Sequence, residues 1–273
     1  MTTLYAEMIN LARADARRAL MIPTLAAAGV SVEVFPAFDL RAGDTAALDE
    51  GTRPFGNWGV FKGQDRAVTI SHARVWERFL DTNADLCLVL EDDVFLSPEL
   101  GTWLSDLSWW PDGADLIKIE RWQSKSLKLL MRPHATHLGR QINQLLSRHT
   151  GAAGYILTRR AAKKFLAQRP FSMTVDQLLF NLNASPAARR MAVYQVTPAL
   201  VVQGNEPASD GTSYVGRERP SGWPLVRQKL QRGYFELAYP LSTIFALLTG
   251  KAGLDTVPYA ETTLIPHPQS GCA

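Results

Sequence analysis

Five apolar residues in a row, Leu86-Cys87-Leu88-Val89-Leu90, run directly into three carboxylates, Glu91-Asp92-Asp93. A short continuous apolar run bounded by polar residues is the pattern of a central strand covered on both faces, because a half-exposed strand would alternate. Such a strand implies helices on both sides of a sheet and puts the acids at its carboxyl end, where ligands gather in open α/β sheets. Adjacent carboxylates there repel one another and lose solvation, an unfavourable arrangement unless a cation is supplied. Hard oxygen ligands suit Mn²⁺ or Mg²⁺ bridged to substrate phosphates, the alternative being a solvated acidic turn before Ser97-Pro98.

Strand and helix patterns alternate around this run. Strands are expected over 4–11, 30–35, 86–90, 115–119, 154–158 and 193–202, and helices over 14–28, 64–83 and 160–168, which predicts an α/β fold with a mostly parallel sheet. Gly29 closes the first helix and Pro23 kinks it. In the second, Val68, Val75, Trp76, Phe79 and Leu80 share a buried face with His72. Residues 123–149 show no clean period and read as a mobile, basic excursion around Leu127-Lys-Leu-Leu-Met131, a lid or an acceptor-facing insertion. The stretch 205–220, rich in Gly, Ser and Pro, ends the compact part, so the division expected is a catalytic α/β domain over 1–220 and a basic amphipathic helical tail over 221–273. The tail's apolar run Leu241 to Leu248 is too short to span a bilayer of about 30 Å but can lie in its interface, or cap the core, or meet another subunit.

Apolar residues at 46% and charged residues at 20% exclude disorder and low-complexity scaffolds. The opening Met1-Thr-Thr-Leu-Tyr lacks a basic region followed by an apolar one, so the cytoplasm is the expected address, at the inner membrane face if the tail engages lipid. Cys87 and Cys272 suit neither a disulfide framework nor a zinc knuckle. The net charge is only +3, yet between Arg121 and Asn205 thirteen Lys and Arg face a single acid, Asp176. That half should attract diphosphates, phosphorylated glycolipids or anionic membrane, or else form a plain solvated surface. Nucleic acid is disfavoured, since the basic residues show no regular aromatic interleaving.

Several short pieces stand in a telling order: Ile9-Asn10-Leu11-Ala12-Arg13 with Arg17 one turn on; Ala37-Phe38-Asp39; Gly63 through Ser71-His72 to Trp76; Leu88 through Glu91-Asp92-Asp93 to Val94; Gly154-Tyr155-Ile156-Leu157 with Ala161; Val175-Asp176; and Pro198 through Gln203 to Ser209-Asp210. Together they resemble glycosyltransferase family 25, the group of bacterial lipooligosaccharide galactosyltransferases and collagen galactosyltransferases. The resemblance implies a GT-A-type, Rossmann-like fold, a UDP-sugar donor, a divalent metal and inversion at the anomeric carbon. Glu91-Asp92-Asp93 looks like the family's acidic metal motif, with Glu91 and Asp93 on the metal and Asp92 toward the donor. Asn10, Arg13, Asp39, Ser71, His72, Lys118 and Gln203 are the implied donor-side residues.

Each of these residues also has an ordinary reading. Asp39 suits a turn, His72 a satisfied core position, and Lys118 a charge that either snorkels or meets an anion. Asp176, near a helix start, is either the base that takes the acceptor's proton or a first-turn aspartate with a structural task. The leading expectation is an inverting, metal-dependent transferase moving a hexose, galactose first, from a UDP-sugar to a lipopolysaccharide or related glycan. The alternatives are a metal-dependent nucleotidyltransferase, against which no Gly-rich phosphate loop is found, and a non-catalytic glycolipid-binding or membrane-surface protein.

Overall fold

The computed structural model describes residues 2–42, 45–56, 58–121, 127–203 and 222–259. Strand β1, Leu4–Asn10, leads to helix α1, Asp15–Ala27, which buries Met21, Thr24 and Leu25 and carries Pro23 inside it. Gly29, at φ 71°, supplies the left-handed residue that ends the turn into β2, Glu33–Pro36. Helix α2, Thr45–Gly51, and a hairpin of β3, Phe55–Gly56, and β4, Gly59–Val60, precede α3, Gly63–Asp81. Strand β5, Leu86–Glu91, lies parallel to β1 with Ile9 opposite Glu91.

The second half adds β6, Val94–Leu96, α4, Leu100–Ser105, β7, Leu116–Lys118, β8, Glu120–Arg121, β9, Lys128–His137, and β10, Arg140–Leu145. Strand β11, Gly154–Thr158, runs into α5, Arg159–Leu166, whose first turn is capped by the Thr158 hydroxyl accepting from the Ala161 amide at 3.1 Å. Helices α6, Val175–Phe180, and α7, Pro186–Arg189, are followed by β12, Val193–Thr197, and β13, Val201–Gln203. Helix α8, Trp223–Leu248, and β14, Gly253–Thr256, complete the described chain.

The main sheet has the order β14-β9-β10-β12-β7-β11-β5-β1-β2. Strands β1, β2, β5, β7, β9 and β12 point one way, and β10, β11 and β14 point the other. The fold is thus α/β: a parallel, Rossmann-like half joined to a mixed half. Side chains of β5 enter two cores, Cys87 and Val89 on the face covered by Trp76 and Phe165, and Leu86, Leu88 and Leu90 on the face covered by Leu25 and Trp103. Coverage on both faces is what the uninterrupted apolar run demanded. Glu7, although in a central strand and fully buried, is held by the Tyr5 hydroxyl and by Arg78, whose Nη1 is 3.2 Å away.

Two expectations are corrected. The described part of 123–149 is no loop: β9 and β10 pair antiparallel inside the main sheet and bury Leu129, Met131, Ile142 and Leu145. A register shift between Ile142 and Asn143 breaks the alternation that would have revealed the hairpin. The single strand expected over 193–202 is two, β12 in the main sheet and β13 in a small sheet ordered β6-β13-β8. Asn57, Trp122, Gln123, the stretch 205–220 with Ser209 and Asp210, and Cys272 lie outside the described residues.

Candidate active site

The parallel register of β1 and β5 puts Asn10 beside the acids. Its Nδ2 donates to Asp92 Oδ2 at 2.7 Å, and Arg17, one turn into α1, reaches Asp92 Oδ1 at 3.1 Å. The middle carboxylate is therefore occupied from within the chain. Its two neighbours point elsewhere. Pairing of β13 with β6 sets Gln203 opposite Val94, which brings Gln203 Nε2 to 3.2 Å from both Glu91 Oε2 and Asp93 Oδ2. One neutral amide is shared by two acids. Burial, with the charges of Glu120 and Asp92, pushes the Glu91 carboxyl up to about 8. Burial, with Glu91 and Asp92, pushes Asp93 up to about 7.

This convergence suits a divalent cation, because two hard oxygen donors meet at one point and burial, with the negative charges around them, holds both back from ionising. Among the described residues no group of three or more His, Cys, Asp or Glu is gathered to hold a metal alone. Further ligands would have to be water and substrate phosphate, the usual habit of Mg²⁺ and Mn²⁺.

Behind Glu91 stands a chain of buried groups. Trp76 Nε1 donates to the Tyr155 hydroxyl at 2.9 Å, that oxygen lies 2.8 Å from His72 Nδ1, and His72 Nε2 lies 3.2 Å from Glu91 Oε1. Indole only donates, so the tyrosine oxygen accepts from it and gives its own proton to Nδ1. The imidazole then carries its hydrogen on Nε2 and donates to Glu91. Burial pulls His72 down to about 3, so the ring is neutral. The sequence-level choice between core histidine and site histidine thus dissolves, since His72 is both fully buried and in contact with the acids.

Lys118 meets an anion from its own chain: Nζ is 2.6 Å from Glu120 Oε2 and 2.6 Å from the Gly151 carbonyl, over the Phe180 ring. Glu120 also accepts from the Ala153 amide at 2.8 Å, while its Oε1, like Asn10 Oδ1, is buried without a hydrogen-bond partner. Asp176, in the first turn of α6, accepts from the Gly151 amide at 3.4 Å, from Gln177 Nε2 at 2.8 Å and from the Thr174 hydroxyl. Gly151 therefore links Asp176 to Lys118 through one peptide group on each side. The charge of Asp176 reaches His72, Glu91 and Lys118.

Arg13 and Asp39 form a separate ion pair beyond β1 and β2, and the guanidinium holds the Asp39 carboxyl below the usual carboxylate range. Ser71 is committed to the backbone: its hydroxyl accepts from the Phe38 amide at 2.8 Å and donates to the Ala67 carbonyl at 2.9 Å, which anchors the loop bearing Asp39. Glu120, Tyr155 and Trp76 had no assigned role from sequence. Lys118 and Glu120 are two residues apart, the spacing that puts side chains on one side of an extended chain, so their pairing had a readable signal. A surface concavity of about 420 Å³ lined by Tyr5, Ser31, Glu33 and Gly101 lies at the amino ends of β1 and β2, away from these groups.

A family model described as glycosyltransferase family 25 (LPS biosynthesis protein) matches residues 3–179. The lacto-N-neotetraose biosynthesis glycosyltransferase LgtB of Neisseria meningitidis serogroup A is 31% identical over 209 residues, covering 72% of this chain and 73% of that protein. LgtE of Neisseria gonorrhoeae, named for the same biosynthesis, is 30% identical over 207 residues, covering 72% of each. A crystal structure of a glycosyltransferase involved in glycosylation of the major capsid of PBCV-1 aligns with 85% of this chain and 99% of its own at 12% identity and a TM-score of 0.38.

Proposed function

Because the chain belongs to glycosyltransferase family 25, we propose that it is an inverting, metal-dependent hexosyltransferase that moves galactose from UDP-galactose to a lipopolysaccharide or related glycan. The observation that carries the reading is the division of labour among three adjacent acids: Asp92 is held by Asn10 and Arg17, leaving Glu91 and Asp93 to converge at Gln203. Glu91 and Asp93 would hold Mn²⁺ or Mg²⁺, which when bound would supply positive charge to offset that of a departing diphosphate.

The chain's own groups do the rest. Asn10 Oδ1, buried and unpartnered, accepts from an N–H of the donor nucleotide, and Asp39, steadied by Arg13, accepts from ribose hydroxyls. His72, donating from Nε2, fixes the direction of the Glu91 carboxylate. Lys118 and Glu120 form the wall that sets Gly151, and Asp176 beyond it takes the proton from the acceptor hydroxyl as the sugar carbon is attacked. The relatives' names, for lacto-N-neotetraose biosynthesis, support a glycan acceptor. We place the reaction in the cytoplasm at the inner membrane face, with a glycolipid acceptor.

The test is UDP release by the full chain with Mn²⁺, across UDP-galactose, UDP-glucose and UDP-N-acetylhexosamines, with Asp93→Ala as control. Consumption of UDP-galactose that the substitution abolishes is the expected result. Release of pyrophosphate in place of UDP would make the protein a nucleotidyltransferase. Calorimetry that detects no donor binding would overturn the reading.

A further inference from the structure

Helix α8 is turned inside out. Trp223, Leu230, Tyr234, Leu237, Leu241 and Phe245 are 66–72% exposed, and steps of seven, four, three, four and four residues keep them on one stripe of a helix with about 3.6 residues per turn. Toward the domain the helix makes polar contacts beside partly buried Leu225 and Phe235. Arg232 Nε donates to the Trp58 carbonyl at 3.2 Å, Arg227 lies over the Phe55 ring, and Glu236 pairs with Arg148 at 3.5 Å. Gln228 packs against Gly59, where an added Cβ would come within 2.5 Å of its side chain. A helix that spends its polar residues on the protein and shows its apolar ones to water has its outer face arranged for another surface.

We propose that this outward stripe docks the protein on an anionic lipid bilayer. The one acid of α8, Glu236, is already held by Arg148, and Arg227 and Arg232 lie over Phe55 and Trp58, so exposed Lys229, with exposed Lys251 just past the helix, supplies the positive charge offered outward. Cations beside an apolar stripe, with Trp223 and Tyr234 among its exposed rings, match the chemistry of an acidic headgroup layer over acyl chains. A second copy packed through the same stripe would offer Lys229 no uncommitted acid of α8 to pair with, whereas an acidic headgroup layer does. No helix among the described residues is long and apolar enough to cross a membrane, so α8 lies along the surface.

The placement also bears on the reaction. Arg148, which grips Glu236 and lies over the Trp58 ring, is three residues from Gly151, whose backbone touches Lys118 and Asp176. A lipid-anchored acceptor held in that bilayer arrives on the Asp176 side of the site; this clause alone rests on the glycolipid reading of the function.

The full chain should sediment with vesicles of phosphatidylglycerol and phosphatidylethanolamine and not with pure phosphatidylcholine, and added salt should weaken the binding. Leu237→Glu combined with Leu241→Glu should lower the bound fraction about tenfold or more while leaving UDP release from soluble donor unchanged. Lys229→Gln with Lys251→Gln should weaken binding to the anionic vesicles selectively. Absence of vesicle binding, or equal binding by the leucine variant, overturns the proposal. So does sedimentation equilibrium showing a dimer that the leucine variant splits, which would assign the stripe to a second copy. Vesicle binding needs no turnover, so a chain that binds lipid but consumes no sugar nucleotide sinks the catalytic reading and leaves this surface standing.

Discussion

The Tyr155 hydroxyl stands 2.8 Å from His72 Nδ1, closer than the 3.2 Å between His72 Nε2 and Glu91. The tyrosine therefore sets the tautomer, and the histidine delivers the result to the acid. The phenol's own proton has one destination because Trp76 occupies the oxygen from the other side.

Tyr155→Phe keeps the ring contacts with His72 and Phe180 but strands Trp76 Nε1 and His72 Nδ1 in a buried space. A loss of about 1–3 kcal/mol is expected from the unsatisfied groups. Nitrogen NMR of the wild type should show His72 neutral with its proton on Nε2, and the variant should lose that single pattern. Identical ring-nitrogen shifts in the two proteins would mean that Tyr155 does not choose the tautomer.

The raised carboxyls of Glu91, at about 8, and Asp93, at about 7, tie stability to pH in an unusual direction. Between the ordinary carboxylate range and these values the folded chain binds more protons than the unfolded one, so each group's contribution falls as pH rises. His72, pulled down to about 3, acts oppositely below about 6.5, so single-site comparisons isolate the acids. Asp93→Asn should equal wild type in stability below about pH 4 and exceed it by about 1–3 kcal/mol at pH 8 without divalent cation. Adding Mn²⁺ should raise the wild-type Tm and close the gap. A difference that is flat with pH would rule out the strained pair.

What could be read in advance was whatever local pattern determines. The Leu86–Leu90 run needs cover on both faces wherever it sits, so β5, its flanking helices and the acids at its end followed from one segment. Gln203 is different. Nothing in its neighbours says that β13 leaves the main sheet to pair with β6, and only that pairing brings its amide to Glu91 and Asp93. The β9–β10 hairpin was hidden by its bulge, and by His134 and His137, which interrupt the polar–apolar rhythm while packing on Tyr194 and Trp103. Glu120 was overlooked because its charge suggested surface, whereas Lys118 two residues earlier makes a buried position tenable.

Asp176→Asn separates the two tasks open to that residue. The one amide oxygen can keep the Gly151 amide and Gln177 Nε2, which share Oδ2, while the amide NH2 takes the place of Oδ1 and donates to the Thr174 hydroxyl, which turns to accept, so the fold should lose no more than about 1 kcal/mol. An amide cannot take a proton from an acceptor hydroxyl, so kcat should fall about 10²–10⁴-fold with the donor KM little changed. Full kcat in the variant, measured with a glycan acceptor, would reduce Asp176 to a helix-start residue.

The Lys118–Glu120 pair is wholly buried, with both side chains at 0% exposure. Removing one member of such a pair costs more than the pair itself contributes, because the remaining charge keeps no partner of opposite sign. Lys118→Met should therefore destabilise by about 3–5 kcal/mol, whereas Lys118→Met with Glu120→Gln should recover most of that loss, as the neutral amide can still accept from Ala153. Glu120 is also the largest charge raising Glu91, ahead of the opposing Lys118, so the double variant should lower the Glu91 carboxyl part of the way, burial remaining, and thereby favour Mn²⁺ binding there near neutral pH. A denaturant-unfolding cycle over the four proteins, with Mn²⁺ titrations on the two that remain folded, measures both effects. Additive substitutions in that cycle would show that Lys118 and Glu120 do not neutralise each other, and the wall behind the acids would need another source of compensation.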